Sequence, residues 1–313
     1  MNKKINLKGM APATILPMDE NFQPDYDAYA HYLKWLIGEG AVAFAVNMDT
    51  GEGPQLNAEE RRKVVEVASQ VAAETDGRVS VLAGVMGSTT QGAIESARIA
   101  QEAGADAAVV FPNAGFRNEP LDPAIPYNYH KAIAEESGLP IILFQLAPVF
   151  GGVNFSRETL LKMLEIPQVI GIKEASFDAN YFSYTKETLD IAGRDITLMT
   201  GNDLFITESL LMGAEGALLG FGAIGCGMIA EMIDTFAKGE YKKAVDMRPR
   251  VQGFGDVIYA NPVLDYRARC KAALAQIDVI SRELTYVHPP LFRTGDEEYL
   301  QLGKAMAKYG MKT

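Results

Sequence analysis

The sequence predicts a (β/α)8 barrel with a C-terminal helical extension. Three observations lead there. Short apolar runs alternate with longer stretches of helical spacing, eight strand–helix units in succession up to about residue 238. The runs are rich in Val, Ile, Leu and Ala with little polar alternation, the pattern of parallel strands covered on both faces. From 239 to 313 only helical spacing remains. Eight consecutive units favour a closed barrel over an open doubly wound sheet. The chain therefore divides into a barrel at 1–238 and a helical subdomain at 239–313, with no low-complexity linker between them.

Taken in order, 11–17 reads as a first strand or strand edge, and 26–37 as a helix closed by Gly38 and Gly40. A strand at 41–46 leads to a helix at 57–73, with Asn57 as N-cap and Glu59 and Glu60 in its first turn. A strand at 79–83 and a helix at 89–103, stopped by Gly104, come next. Further strands are expected at 107–111, 141–144, 169–172, 196–200 and 217–219. The helices between and after them fall at 124–135, 156–164 (Ser156 as N-cap), 180–191, 204–212 and 228–236. The extension reads as helices at about 241–259, 266–277 and 297–309.

Composition narrows the function. The 313 residues are 48% hydrophobic and 22% charged, an ordinary globular balance. A formal net charge of -11 makes nucleic acid and anionic membrane surfaces poor partners. Two distant cysteines, Cys226 and Cys270, are too few for a disulfide framework or a zinc cluster, and point to a reducing cytoplasm. His31, His130 and His288 share no metal-ligand spacing, so neither a metal nor another cofactor is expected. The start is basic without an apolar core behind it, unlike a signal peptide, and no window is apolar and long enough to span a bilayer.

Barrel active sites lie at the C-terminal ends of the strands. That rule gathers Asp49-Thr50-Gly51-Glu52, Gly84, Asn113, Gln145, Lys173, Asn202-Asp203 and the Gly220–Gly225 run at one face. Lys173 stands out, because the apolar run from Val169 ends abruptly in it. Burial disfavours an ammonium, lowers its pKa and frees the neutral amine, which can attack a carbonyl and form a Schiff base. On its own stretch Lys173 also fits a strand-end lysine paired with Glu174. Its place at a barrel mouth favours the catalytic reading.

With Lys173 in Gly171-Ile172-Lys173-Glu174 and Thr50-Gly51-Glu52 upstream, the chain resembles the dihydrodipicolinate synthase / N-acetylneuraminate lyase family of class I aldolases. Leu56, Glu60-Arg61, Ala83-Gly84-Val85, the run from Ile99 to Ala108, Leu139-Pro140-Ile141-Ile142-Leu143, Lys271-Ala272-Ala273-Leu274 and Pro289-Pro290-Leu291 carry the resemblance along nearly the whole chain. It implies a lysine imine with pyruvate or another 2-keto acid, a T-G-E loop in which Thr50 and Gly51 hold the keto acid's carboxylate, and a homo-oligomer, tetramer or dimer. A protonated imine is an electron sink for the enamine formed when a C3 bond breaks, and a glycine-containing turn supplies N–H donors to a carboxylate.

Departures from the family pattern set further expectations. Phe144 stands where the family has a proton-shuttling tyrosine, and Asp49 where a hydroxyl precedes Thr50. The arginine expected just beyond strand five has no counterpart in Pro148-Val149-Phe150. True dihydrodipicolinate synthesis is therefore not expected. Asp49 becomes the candidate for acid–base work, with the capping of its own loop as the plainer role. Phe144 and Leu219 are expected to line the substrate pocket, and the apolar segment after Phe144 suggests a second substrate with an apolar part. The expected activity is that of an aldolase, or of a dehydratase of a 2-keto-3-deoxy acid. The alternative is a keto-acid-binding barrel that does no chemistry, acting as a sensor or scaffold. Gly220-Phe221-Gly222-Ala223-Ile224-Gly225 matches G-x-G-x-x-G, but follows the eighth strand rather than opening a first βαβ unit, so a wall of the keto-acid pocket is favoured over a nucleotide cradle.

Overall fold

The structure, a computed structural model, describes residues 5–117 and 121–311. The basic residues at 1–4 lie outside that range. Eight parallel strands form one sheet: β1 (Met10–Pro12), β2 (Ala43–Val46), β3 (Ser80–Val85), β4 (Ala107–Val110), β5 (Ile141–Leu146), β6 (Val169–Ala175), β7 (Thr197–Thr200) and β8 (Gly216–Leu219). The spatial order runs β1-β8-β7-β6-β5-β4-β3-β2. The seam between β1 and β2 is closed by an Ala13–Ala45 bridge, with the Thr14 amide donating to the Ala45 carbonyl at 3.0 Å. With helices outside every strand, this is a (β/α)8 barrel.

Alternation along each strand builds two apolar layers. One face fills the lumen with Ala11, Ala43, Ala45, Leu82, Ala107, Val109, Ile142, Phe144, Met199 and Leu218. The other packs against the helices through Phe44, Val46, Val81, Val110, Leu143, Ile172 and Leu219. Helix starts follow the expected chemistry. Asn57 and Glu60 form a reciprocal capping box, and the Ser156 side chain accepts from the Thr159 amide. Among the described residues no helix is long and apolar enough to cross a membrane.

Four boundaries differ from the sequence reading. β1 is three residues long, because after Pro12 the chain keeps only single links across the seam. β6 continues through Ala175, so Lys173 lies inside the strand and not at its exit. The eighth barrel helix begins at Gly222, within the glycine run. The stretch 241–259 is two helices, Tyr241–Asp246 and Arg248–Ile258, with Pro249 at the start of the second, where its missing N–H costs nothing. The extension shares the barrel's outer core: Val251, Phe254, Ile258, Cys270 and Leu274 belong to the same buried cluster as the barrel helices.

Candidate active site

Lys173 projects from β6 into a cavity of about 620 Å³ at the C-terminal mouth of the barrel. Its strand neighbour in register is Phe144 on β5, and the Lys173 Nζ lies 4.1 Å from the centre of the Phe144 ring. The ring is held edge-on by Phe111, with centroids 5.3 Å apart. Lys173 is 9% exposed and makes no ion pair or hydrogen bond among the described residues. Burial pushes its amine down to about 8, against the opposing pull of Asp203 and Asp49.

Its sequence neighbour, Glu174, points to the other side of the strand. The Asn202 side chain donates to the Glu174 carboxylate at 2.7 Å and to its carbonyl at 2.9 Å, and the Ser176 amide donates at 3.1 Å. Glu174 therefore ties the loop after β7 to β6 and leaves the lysine unpaired. Asn202 is consumed by the same tie, its carboxamide oxygen accepting from the Phe177 amide.

The loop after β2 makes a short 3-10 turn at Asp49–Gly51. Thr50 is buried, lines the cavity, and has its hydroxyl 3.4 Å from that of Tyr266. Gly51 stands behind it, with its amide donating to the Met48 carbonyl and no room for a Cβ, which would meet the Thr14 carbonyl oxygen at 2.6 Å. Glu52 turns away from the cavity. It pairs with the fully buried Lys271 at 2.7 Å and accepts from the His288 backbone amide at 2.6 Å. Burial alone would push the Glu52 carboxyl up, but Lys271 and His288 outweigh it and hold it at about 2. The T-G-E loop is thus anchored to the C-terminal extension by a buried ion pair.

Asp49 reaches the cavity but is not enclosed by it. Its side chain is 39% exposed, with the Arg267 guanidinium 3.8 Å away, and Arg267 also donates to the Asp49 carbonyl at 2.7 Å. Leu219 is not in the cavity wall. Strand alternation turns it outward into the layer under the helices, while Leu218 faces the lumen. Of the expected residues the fold gathers Lys173, Asp49, Thr50 and Phe144 around one space, and places Gly51 and Leu219 behind it.

Four further polar residues line the cavity, Asp203 where the strand-end rule put it and three unforeseen. Asp203, at the mouth through its position after β7, reaches to the helix beginning at Gly222 and accepts from the Phe221 amide at 2.8 Å. That helix start is occupied by the chain's own carboxylate, and the glycines after it answer to packing: a Cβ at Gly222 would meet Met10 and one at Gly225 the Phe221 ring. Burial pushes the Asp203 carboxyl up to about 6, against the Phe221 amide and Lys173, which favour its ionised form. Tyr259, Tyr266 and Arg267 come from the extension. The two tyrosine rings stack 4.9 Å apart, and burial, with the nearby Asp203 carboxylate adding to it, pushes the Tyr259 hydroxyl well above its ordinary value. Gly220 is required here: a Cβ on it would lie 2.3 Å from the Tyr259 hydroxyl and 3.1 Å from the Thr50 hydroxyl. Position after β7 was the available signal for Asp203. Nothing local marks the tyrosines, which lie more than 80 residues from Lys173 in sequence.

The mouth is apolar. Val149, Phe150, Leu204 and Leu264 line it and remain solvent-exposed, above an inner wall of Met48, Leu146 and Phe177.

The dihydrodipicolinate synthetase family pattern matches residues 6–309. A 4-hydroxy-tetrahydrodipicolinate synthase from Aromatoleum aromaticum is 29% identical over 297 residues, covering 94% of this chain and 96% of the relative. The enzyme of the same name from Agrobacterium fabrum is 31% identical over 268 residues, with 82% and 84% covered. Among solved structures, a dihydrodipicolinate synthase from Bacillus anthracis superposes with a TM-score of 0.84 at 26% identity, covering 97% of this chain and 99% of its own. YagE, a prophage protein of Escherichia coli K12 solved with pyruvate, shares the fold at a TM-score of 0.87 and 22% identity, covering 97% of this chain and 99% of its own. With the family pattern spanning nearly the whole barrel and its extension, the chain belongs to the dihydrodipicolinate synthetase family and is an enzyme of the lyase class.

Proposed function

We propose that this lyase works through a Schiff base between Lys173 and pyruvate or another 2-keto acid, and makes or breaks a bond at the keto acid's C3 or C4. The observation that carries the reading is the state of Lys173: an enclosed amine with no ion pair among the described residues, pushed to about 8 and facing a cavity large enough for a small substrate. At neutral pH about a tenth of such amines are uncharged, several hundredfold more than for an ordinary lysine. In this reading Thr50, buried in the wall of the same cavity, binds the keto acid's carboxylate. Gly51 contributes by shaping that turn, since its own amide is already bonded.

The second reactant takes its character from the mouth. Exposed Val149, Phe150, Leu204 and Leu264 suit an apolar or aromatic aldehyde better than a second dicarboxylic acid. Aldol cleavage or condensation and dehydration of a 2-keto-3-deoxy acid share the same iminium and enamine, so the pocket is compatible with each. Assembly as a homo-oligomer is part of the same reading and is tested by sedimentation of the purified protein.

The deciding experiment is intact mass after incubation with pyruvate and borohydride, with Lys173→Ala alongside. An adduct on the native protein alone supports the reading. No adduct with pyruvate or with larger keto acids would refute it.

A further inference from the structure

Enamine formation requires a base for the C3 proton of the iminium, and Phe144, packed against Lys173, has no proton to exchange. The cavity offers few alternatives. Asp49 is half open to water and engaged with Arg267. The Tyr266 hydroxyl faces Thr50, without a carboxylate to receive a proton. Tyr259 differs: it lines the cavity, its hydroxyl converges with the Thr50 hydroxyl on the empty spot left by Gly220, and the buried carboxylate of Asp203 sits on the very next amide, that of Phe221. Asp203 is fixed in turn by the Phe221 amide at 2.8 Å and is 4% exposed.

We infer that Tyr259 and Asp203 form a two-residue proton relay for the C3 step, with the tyrosine touching the substrate and the aspartate acting through it. This rests on the Schiff-base reading above. In the forward direction the C3–H bond of the iminium breaks, its electron pair becomes the C2=C3 bond, and the C2=N π pair moves onto the Lys173 nitrogen. The C3 proton passes to the Tyr259 oxygen as that oxygen's own proton passes to the Asp203 carboxylate. The charge on the nitrogen is cancelled as the aspartate is neutralised, so no net charge is created in the cavity. An aspartate held near 6 is a base matched to neutral pH. The extension thus supplies the group that touches C3, and the barrel supplies the aspartate behind it.

Solvent exchange at C3 tests the relay without knowledge of the native substrate. Pyruvate and 2-oxobutyrate are incubated with the full-length protein in D2O, and loss of the C3 proton signal is followed by NMR. Borohydride trapping on each variant is scored in parallel. The relay predicts that Tyr259→Phe and Asp203→Asn still give the Lys173 adduct but lose about a hundredfold or more of the exchange rate. Exchange in Tyr259→Phe at the native rate, with the adduct intact, overturns the relay and leaves the Schiff-base reading standing. Loss of adduct and exchange together in Tyr259→Phe also overturns it, because the residue would then be building the pocket rather than moving a proton. No adduct on the native protein overturns both readings.

Discussion

Two buried lysines face the same end of this barrel and do opposite things. Lys271 is fully enclosed and holds Glu52 at 2.7 Å with the Tyr286 carbonyl as a second acceptor. Lys173 is enclosed almost as well, with the Phe144 ring against it and, among the described residues, no ion pair, Asp203 and Asp49 acting only from farther off. Burial costs both ammonium groups hydration. Where a carboxylate sits alongside, the charge is retained and the pair becomes a clasp between the T-G-E loop and the extension. Where the nearest face is phenylalanine, the cost falls on the protonated form, and the amine becomes nucleophilic. Chemistry and architecture are separated here by the presence of one counter-ion.

Lys173→Ala breaks the comparison most sharply. Borohydride adduct and turnover fall to background, while the thermal midpoint holds or rises, because an unpaired buried cation has been removed. Calorimetry beside the mass assay checks both. Lys271→Met reverses that pattern: the protein loses about 3–5 kcal/mol of stability, read by urea denaturation, because Glu52 is left buried without its partner. Pairing it with Glu52→Gln recovers much of that loss, and a double-mutant cycle measures the coupling.

The two sites also separate on a pH axis. The rate of adduct trapping rises about tenfold per pH unit below about 8 and levels off above it, since only the neutral Lys173 amine attacks. A midpoint near 10 would remove the argument from burial. For Glu52 the folded carboxyl titrates near 2, below its unfolded value near 4.5. Its contribution to stability is complete above about 4.5 and disappears as pH falls towards 2. Glu52→Gln should flatten the acid limb of the stability curve. The smallest effect belongs to the rim: Leu264→Asp weakens an apolar aldehyde by about tenfold in KM and leaves pyruvate trapping unchanged.

Much of this was legible in the chain. The β-branched run at 169–172, the Asn57 capping box and the glycine stops are local signals, and each fell within a few residues of its place. Pro249 could have marked the break in the stretch 241–259, since proline favours the first turn of a helix over its interior. Leu219 was misplaced by one step of strand alternation, which puts its neighbour Leu218 in the lumen. Asp203 was put at the mouth by its position after β7, but the amide it holds, at Phe221, lies across the barrel loops.

By itself the sequence determined the barrel, the lysine and the family, because periodicity, strand composition and an out-of-place charge are written in consecutive residues. Only the tertiary structure decided what surrounds that lysine: that Glu174 turns away from it, that Glu52 is claimed by Lys271, and that Tyr259, Tyr266 and Arg267 enter the cavity from the extension. These are contacts between segments tens to hundreds of residues apart. Their geometry is fixed by how the closed sheet and its added helices pack, which no local pattern records.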